Sequence, residues 1–207
     1  MLSKINRGLV LIVSSPSGAG KTTICKKLIQ DIENLNLSVS VTTRLKRQNE
    51  IDGKDYFFKS DEEFDKMVKQ EKFLEHARVF GYSYGTLKTE INSKITNGIN
   101  VIVDIDWQGT RQIEEHIPDD IVKIFILPPS IKELEKRLGA RATESQDSFE
   151  KRMSEARKEI SHYHEYDFII INEDVQESVN KIKSILNSES LRRHRQIGLS
   201  KFINDLK

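Results

Sequence analysis

The chain has 207 residues, with 33 Lys and Arg against 32 Asp and Glu and a formal net charge of +1. That length suits one domain with insertions or two small ones, and it can bury a core without metal or disulfide staples. The balanced charge favours neither nucleic acid nor an acidic membrane, the single cysteine Cys25 excludes an internal disulfide, and no stretch nears a secretory h-region or the ~20 apolar residues that span a bilayer, so no nucleic-acid or membrane partner is expected and the cytosol is the simplest location.

Residues 9–13 are an apolar, β-branched run that predicts a buried strand. They lead into Ser15-Pro16-Ser17-Gly18-Ala19-Gly20-Lys21-Thr22, and the pattern over 22–32 is helical, taking in Thr23 and Cys25, which reads as a small core residue. A strand, then a small-residue loop ending in Gly-Lys-Thr, then a helix is the context of a phosphate-binding loop. Its glycines let several N–H groups turn toward one anion, and the helix adds its positive end. Lys21 would reach the outer phosphates, and the Thr22 hydroxyl would ligate Mg²⁺. The strict pattern begins with Gly where this chain has Ser15, which is also small.

Residues 39–86 break the strand–helix alternation. Short strands are expected at 38–41 and 56–58, then a helix begun by Ser60-Asp61-Glu62-Glu63, then aromatic-rich turns; this reads as a small α+β insertion. Alternation then resumes with helix 87–97, strand 101–105, helix 110–116 and strand 121–127, the last interrupted by Lys123. Pro128-Pro129 stops that strand, and Ser130 with Glu133 opens a helix over 131–138 with a capping-box pattern. Residues 132–165 are helical and charged and read as a lid. A strand follows at 168–171, and the tail from 175 to 207 is helical and amphipathic. The expected fold is a doubly wound α/β parallel sheet built from 1–38, 87–131 and 166–207, with the insertion at 39–86 and the lid at 132–165. Right-handed crossovers would place the loop at Ser15 on the carboxyl edge of the sheet, where ligands bind.

Three constellations carry chemistry. Asp104 and Asp106 close a strand at a spacing that puts both carboxylates on one face of an extended chain. There they could hold Mg²⁺ waters, orient a basic side chain or accept a proton. Arg44 and Arg47 flank a turn beside hydroxyl residues and could form a forked site for a second phosphate. Tyr56 and Tyr84 could add donors or belong to the insertion core. Other features have bland readings: His162 and His164 lie on different helix faces, Arg192-Arg193-His194-Arg195 is expected to be a short solvated face, and Trp107 is expected to pack.

In this order along the chain, Ser40-Val41-Thr42-Thr43-Arg44, Phe73-Leu74-Glu75 through Tyr84-Gly85-Thr86, Asp104-Ile105-Asp106-Trp107-Gln108-Gly109 and the series Arg137, Arg141, Arg152 closely resemble the guanylate kinases, of the P-loop nucleoside monophosphate kinase group. The resemblance runs from residue 8 to residue 185. It implies a central parallel sheet flanked by helices and transfer of the γ-phosphoryl of MgATP to GMP or dGMP. It also implies roles: residues 15–23 and Asn172 for ATP; Ser40, Glu75, Thr86 and Asp106 for the guanine base; Arg44, Arg47, Tyr56 and Tyr84 for the GMP phosphate. Asp104 would sit near the reacting phosphates and the Arg44 head group, and Arg137, Arg141 and Arg152 would close over ATP. Lys21, Arg44, Asp104 and the three lid arginines are thus the implied catalytic set.

The residue chemistry agrees with that choice of base. Guanine offers N1–H and an amine on one edge, and ionised Glu75 and Asp106 only accept. Ser15, Asn49 and Ala142 depart from the family's usual small residues or glycines without removing a substrate-contacting side chain. An alternative is a guanylate-kinase-like module that binds phosphorylated partners without catalysis; Lys21, Thr22, Asp104 and the lid arginines speak against it. Monomer and homo-oligomer both remain open.

Overall fold

The computed structural model describes residues 6–79, 81–139 and 146–207. In chain order its elements are β1 (Val10–Ser14), α1 (Lys21–Asp31), β2 (Leu35–Leu37), β3 (Val41–Thr42), β4 (Phe57–Phe58), α2 (Asp61–Lys69), β5 (Phe73–Val79), β6 (Tyr82–Leu87), α3 (Lys88–Thr96), β7 (Asn100–Asp104), α4 (Trp107–His116), β8 (Ile121–Leu127), α5 (Ile131–Gly139), α6 (Gln146–Ser161), β9 (Phe168–Ile171), α7 (Val175–Ser190) and α8 (Leu199–Asp205). The larger sheet is parallel throughout, in the order β2-β7-β1-β8-β9. β1 is its middle strand and is buried along its whole length. Its alternate residues serve two cores. Leu11 and Val13 pack with Ile24, Leu28, Val179 and Ile182 on one face, and Val10 and Ile12 pack with Ile91, Ile95 and Ile113 on the other. Burial on both faces explains why the strand reads as an unbroken apolar run.

The smaller sheet, β4-β3-β6-β5, is mixed and comes from the segment expected to be an insertion. Its main feature is the antiparallel β5–β6 hairpin, where aromatic-rich turns were expected. The strand signal is weak because Glu75, His76, Arg78 and Gly85 interrupt the apolar alternation. Two of these positions have tertiary causes. Glu75 is buried and accepts the Thr86 hydroxyl, and a Cβ on Gly85 would lie 2.8 Å from the Phe73 ring. β2 was also unexpected: it is a three-residue edge strand, too short to show periodicity. The strand expected at 38–41 forms only as β3. α2 follows its sequence signal, with a complete Ser60/Glu63 capping box.

Other boundaries move for local reasons. α4 starts three residues earlier than expected because Asp106 caps it, accepting the Gly109 N–H at 2.9 Å. Lys123 does not break β8; it is buried there, and its ammonium bonds Glu114. The Ser130 hydroxyl caps α5 at the Glu133 N–H, while the Glu133 carboxylate takes Arg137. In the basic run near the end Arg192, Arg193 and His194 are exposed, as expected, and Arg195 is the exception. Arg195 is 2% exposed, Arg192 bonds Glu189, and the Arg195 carbonyl accepts the Arg7 N–H at 2.8 Å. A backbone bridge between Asn6 and Gln196 pins this part of the tail to the start of the chain.

α5 and α6 share a small core of Leu134, Leu138, Met153 and Ala156. α5 also packs on the loop after β1: a Cβ on Gly18 would lie 3.1 Å from Leu134 and 3.2 Å from Leu138. Gly20 is more tightly constrained. Its φ is +99°, and a Cβ there would lie 2.4 Å from the Asn172 amide nitrogen. Gly20→Ala should therefore lower stability by about 1–2 kcal/mol from the left-handed backbone alone, with a further loss from the collision. In urea unfolding, Gly20→Ala should cost less in an Asn172→Ala background than in the wild type, the difference being the collision part.

Candidate active site

The parallel register of β1 and β7 sets Val13 opposite Asp104. The loop that leaves β1 therefore starts beside the Asp104 carboxylate. Gly18 and Gly20 both have positive φ, which turns the loop back onto α1. Lys21, the first residue of α1, forms an ion pair with Asp104 at 2.5 Å. Thr22 and Thr23 are exposed on the same first turn, and Ser15 and Pro16 line the same cavity. The cavity that the loop encloses measures about 280 Å³.

Asn172 lies behind this loop, 2% exposed. Its amide donates to the Ala19 carbonyl at 2.7 Å and accepts from the Ser178 hydroxyl at 3.1 Å. Both ends of the side chain are thus engaged in bracing the loop. One residue of α5 and one of α6 also reach the loop. Arg137, held by Glu133 at 2.9 Å, points an Nη1 toward the Ala19 carbonyl at 3.5 Å. Glu159 accepts the Ser17 N–H at 3.1 Å. Arg152 is half-buried on α6, and Arg141 and Ala142 lie outside the described residues.

Asp106, two residues beyond Asp104, turns to a second centre. Glu75 from β5 is 6% exposed, and the Thr86 hydroxyl of β6 donates to it at 2.6 Å. Burial pushes the Glu75 carboxyl up to about 7; the Thr86 bond opposes this, and the Asp106 charge adds to it. Gly109 lets the two acids approach, since a Cβ there would lie 3.3 Å from a Glu75 carboxylate oxygen. The two aspartates thus divide: Asp104 serves the loop, and Asp106 caps α4 beside Glu75.

A third group surrounds Arg44. Its guanidinium bonds both oxygens of Glu50, at 2.6 and 3.1 Å, and lies 5.4 Å from the centre of the Tyr56 ring, which meets Tyr84 edge-on. Glu50 and the Tyr84 hydroxyl both hold Arg44 firmly protonated. Glu50 also accepts the Arg47 N–H at 2.8 Å, while the Arg47 side chain is exposed. Ser40 is half-buried, its carbonyl accepting the Phe57 N–H. Arg44 was expected beside Asp104; Glu50 is the carboxylate that holds it.

Glu50 and Glu159 were missed by sequence reasoning. Glu50 could have been found as the acid closing the Arg44–Arg47 turn. Glu159 carries no local signal, because its partner lies 142 residues away. Trp107 packs as expected, stacked on His162 with centroids 3.7 Å apart and with the Arg111 guanidinium 4.7 Å from the ring centre. Glu165 bonds both Arg111 and His162 and is held down to about 2, chiefly by Arg111. Beneath them, Ser14, Thr110 and Tyr166 form a buried hydroxyl chain linking β1, α4 and the segment after α6. Cys25 is 4% exposed, and burial pushes its thiol up to about 12, so it is a poor nucleophile.

Known proteins resemble this chain over almost all of its length. The family model described as guanylate kinase matches residues 7–189. A guanylate kinase of Paramagnetospirillum magneticum is 47% identical over 201 residues, covering 97% of this chain and 94% of the relative. One of Nitrobacter winogradskyi is 48% identical over 200 residues, covering 97% and 91%. The crystal structure of guanylate kinase from Anaplasma phagocytophilum superposes with a TM-score of 0.75 at 36% identity, covering 97% of this chain and 95% of that one. With a glycine loop around Lys21, a buried Glu75 beside the exposed Asp106, and this likeness along nearly the whole sequence, the chain belongs to the guanylate kinase family.

Proposed function

We propose that this chain transfers the terminal phosphoryl group of MgATP to GMP or dGMP, forming ADP and GDP or dGDP, in the cytosol. One observation carries the reading: Asp104 and Asp106, two residues apart, join the Lys21 loop to the buried Glu75 carboxylate. A donor held by the loop and a base held by the pocket would then be fixed relative to each other by a single short segment. Among the described residues no helix is long and apolar enough to cross a membrane.

The donor phosphates would lie along residues 15–23, with the Lys21 ammonium exchanging Asp104 for phosphate oxygens. Mg²⁺ fits the oxygen donors at hand, the exposed Thr22 hydroxyl and the partly exposed Asp104 carboxylate. When bound, the cation would neutralise charge on the outer phosphates. Glu75 and Asp106, with Ser40 and Thr86, would take the guanine edge, and adenine would leave them facing a lone pair. Arg44, Arg47, Tyr56 and Tyr84 would hold the acceptor phosphate. Arg137, Arg141 and Arg152 would close over the transferring group as the lid at 132–165 and the insertion at 39–86 fold over the core. The chemistry then needs in-line positioning, charge neutralisation and exclusion of water, and no covalent intermediate.

A coupled assay with GMP, dGMP, AMP, CMP and UMP tests the reading. Guanine acceptors should be preferred by ~10⁴ or more, because a wrong base strands buried polar groups. Preference for AMP, or no acceptor-dependent ADP at all, overturns it. Lys21→Ala and Arg44→Ala should each cut GDP formation by ~10²–10³ in a folded protein; near-normal turnover in either would count against the assigned roles.

The acid pocket also sets a pH dependence. Burial pushes the Glu75 carboxyl up to about 7, so acidification would protonate it and remove an acceptor for the base. The KM for GMP should rise as pH falls from 8 to 6. The part of that rise due to Glu75 should disappear in Glu75→Gln, which binds GMP weakly at every pH. A wild-type profile that matches the variant's would exclude Glu75 as the titrating group.

A further inference from the structure

Glu159 has no part in the roles assigned above, yet it touches the phosphate loop. It sits near the end of α6, and its carboxylate accepts the Ser17 N–H at 3.1 Å. It walls the loop cavity together with Ser17, Gly18, Gly20 and Lys21. Backbone N–H groups are the means by which such a loop holds anions. Here one of them holds a carboxylate of the chain itself.

The charges facing Glu159 come from three elements: Lys21 of α1, Asp106 at the cap of α4, and Glu155 one turn earlier on α6. Lys21 is shared with Asp104 at 2.5 Å, and Arg137 is tied to Glu133. The mouth of the loop thus carries two carboxylates, Glu159 and Asp104, around one ammonium. A polyphosphate entering the loop must displace Glu159 from Ser17 or accept its charge at close range. Ser17 is four residues before Lys21, away from the first turn of α1, and Lys21 is the side chain that reaches the outer phosphates. Glu159 faces Lys21, so its charge conflicts with the outer phosphates that this ammonium would hold.

We propose that Glu159 is a specificity-determining residue of the donor site, competing with the terminal phosphate of a nucleoside triphosphate for the Ser17 N–H. This rests on the reading that the loop binds ATP. Glu159 weakens the triphosphate more than the diphosphate, which narrows the affinity gap between donor and product.

The test is calorimetric titration of the full chain with MgATP and with MgADP, for wild type, Glu159→Gln and Glu159→Ala. Both variants should bind MgATP more tightly, on the order of tenfold, and MgADP by clearly less. Unchanged or weakened MgATP binding in either folded variant overturns the proposal and leaves Glu159 a brace for the loop. Equal tightening for both nucleotides also overturns it, since the terminal phosphate would not be the competitor. A wild-type chain that binds MgATP but makes no GDP marks failure of the guanylate kinase reading alone; one that binds no MgATP sinks both.

Discussion

The parallel pairing of β1 with β7 is the constraint on which the site depends. It sets Val13 opposite Asp104, so the loop leaving one strand and the acid ending the next emerge side by side. Lys21 and Asp104 can meet only because of that register. A shift of one residue would turn the whole strand over and bury the wrong side chains. The apolar residues on both faces of β1 therefore protect the active-site geometry as well as stability. The next two residues carry the chain to Asp106, which caps α4 and stands beside Glu75.

Several groups suited to holding a phosphate already hold a carboxylate of the chain. Lys21 has Asp104, Arg44 has Glu50, Arg137 has Glu133, and the Ser17 N–H has Glu159. This arrangement fits the near-zero net charge. A cluster of unpaired cations around two polyanion sites would repel itself and bind anions indiscriminately. Internal partners keep the cations oriented, and under the proposed function each would be exchanged when a phosphate arrives. The weight of binding thus falls on geometry and on the order in which contacts are traded.

The signals that sequence reasoning read well were those that are local along the chain. The buried strands announced themselves as apolar runs, and the phosphate loop by its glycines. α2 was marked by its Ser60/Glu63 capping box. The β5–β6 hairpin was hidden because Glu75 answers to the Thr86 hydroxyl and Gly85 to the Phe73 ring, and neither follows strand alternation. Lys123 looked like an interruption because its partner, Glu114, lies on the preceding helix. Arg195 looked solvated because the start of the chain that bridges to its neighbour is nearly the whole sequence away.

The sequence by itself determined the fold class, the phosphate loop and most of the acids and arginines around it, since these depend on residue type and on spacings of a few positions. Tertiary structure alone decided how those groups are paired: Asp104 with Lys21 rather than Arg44, Asn172 behind the loop, and Glu159 at its mouth. A pairing across 142 residues, as between Ser17 and Glu159, leaves no periodic trace. Such contacts follow from which strand ends lie side by side and which helix packs over them, and only the folded chain specifies that.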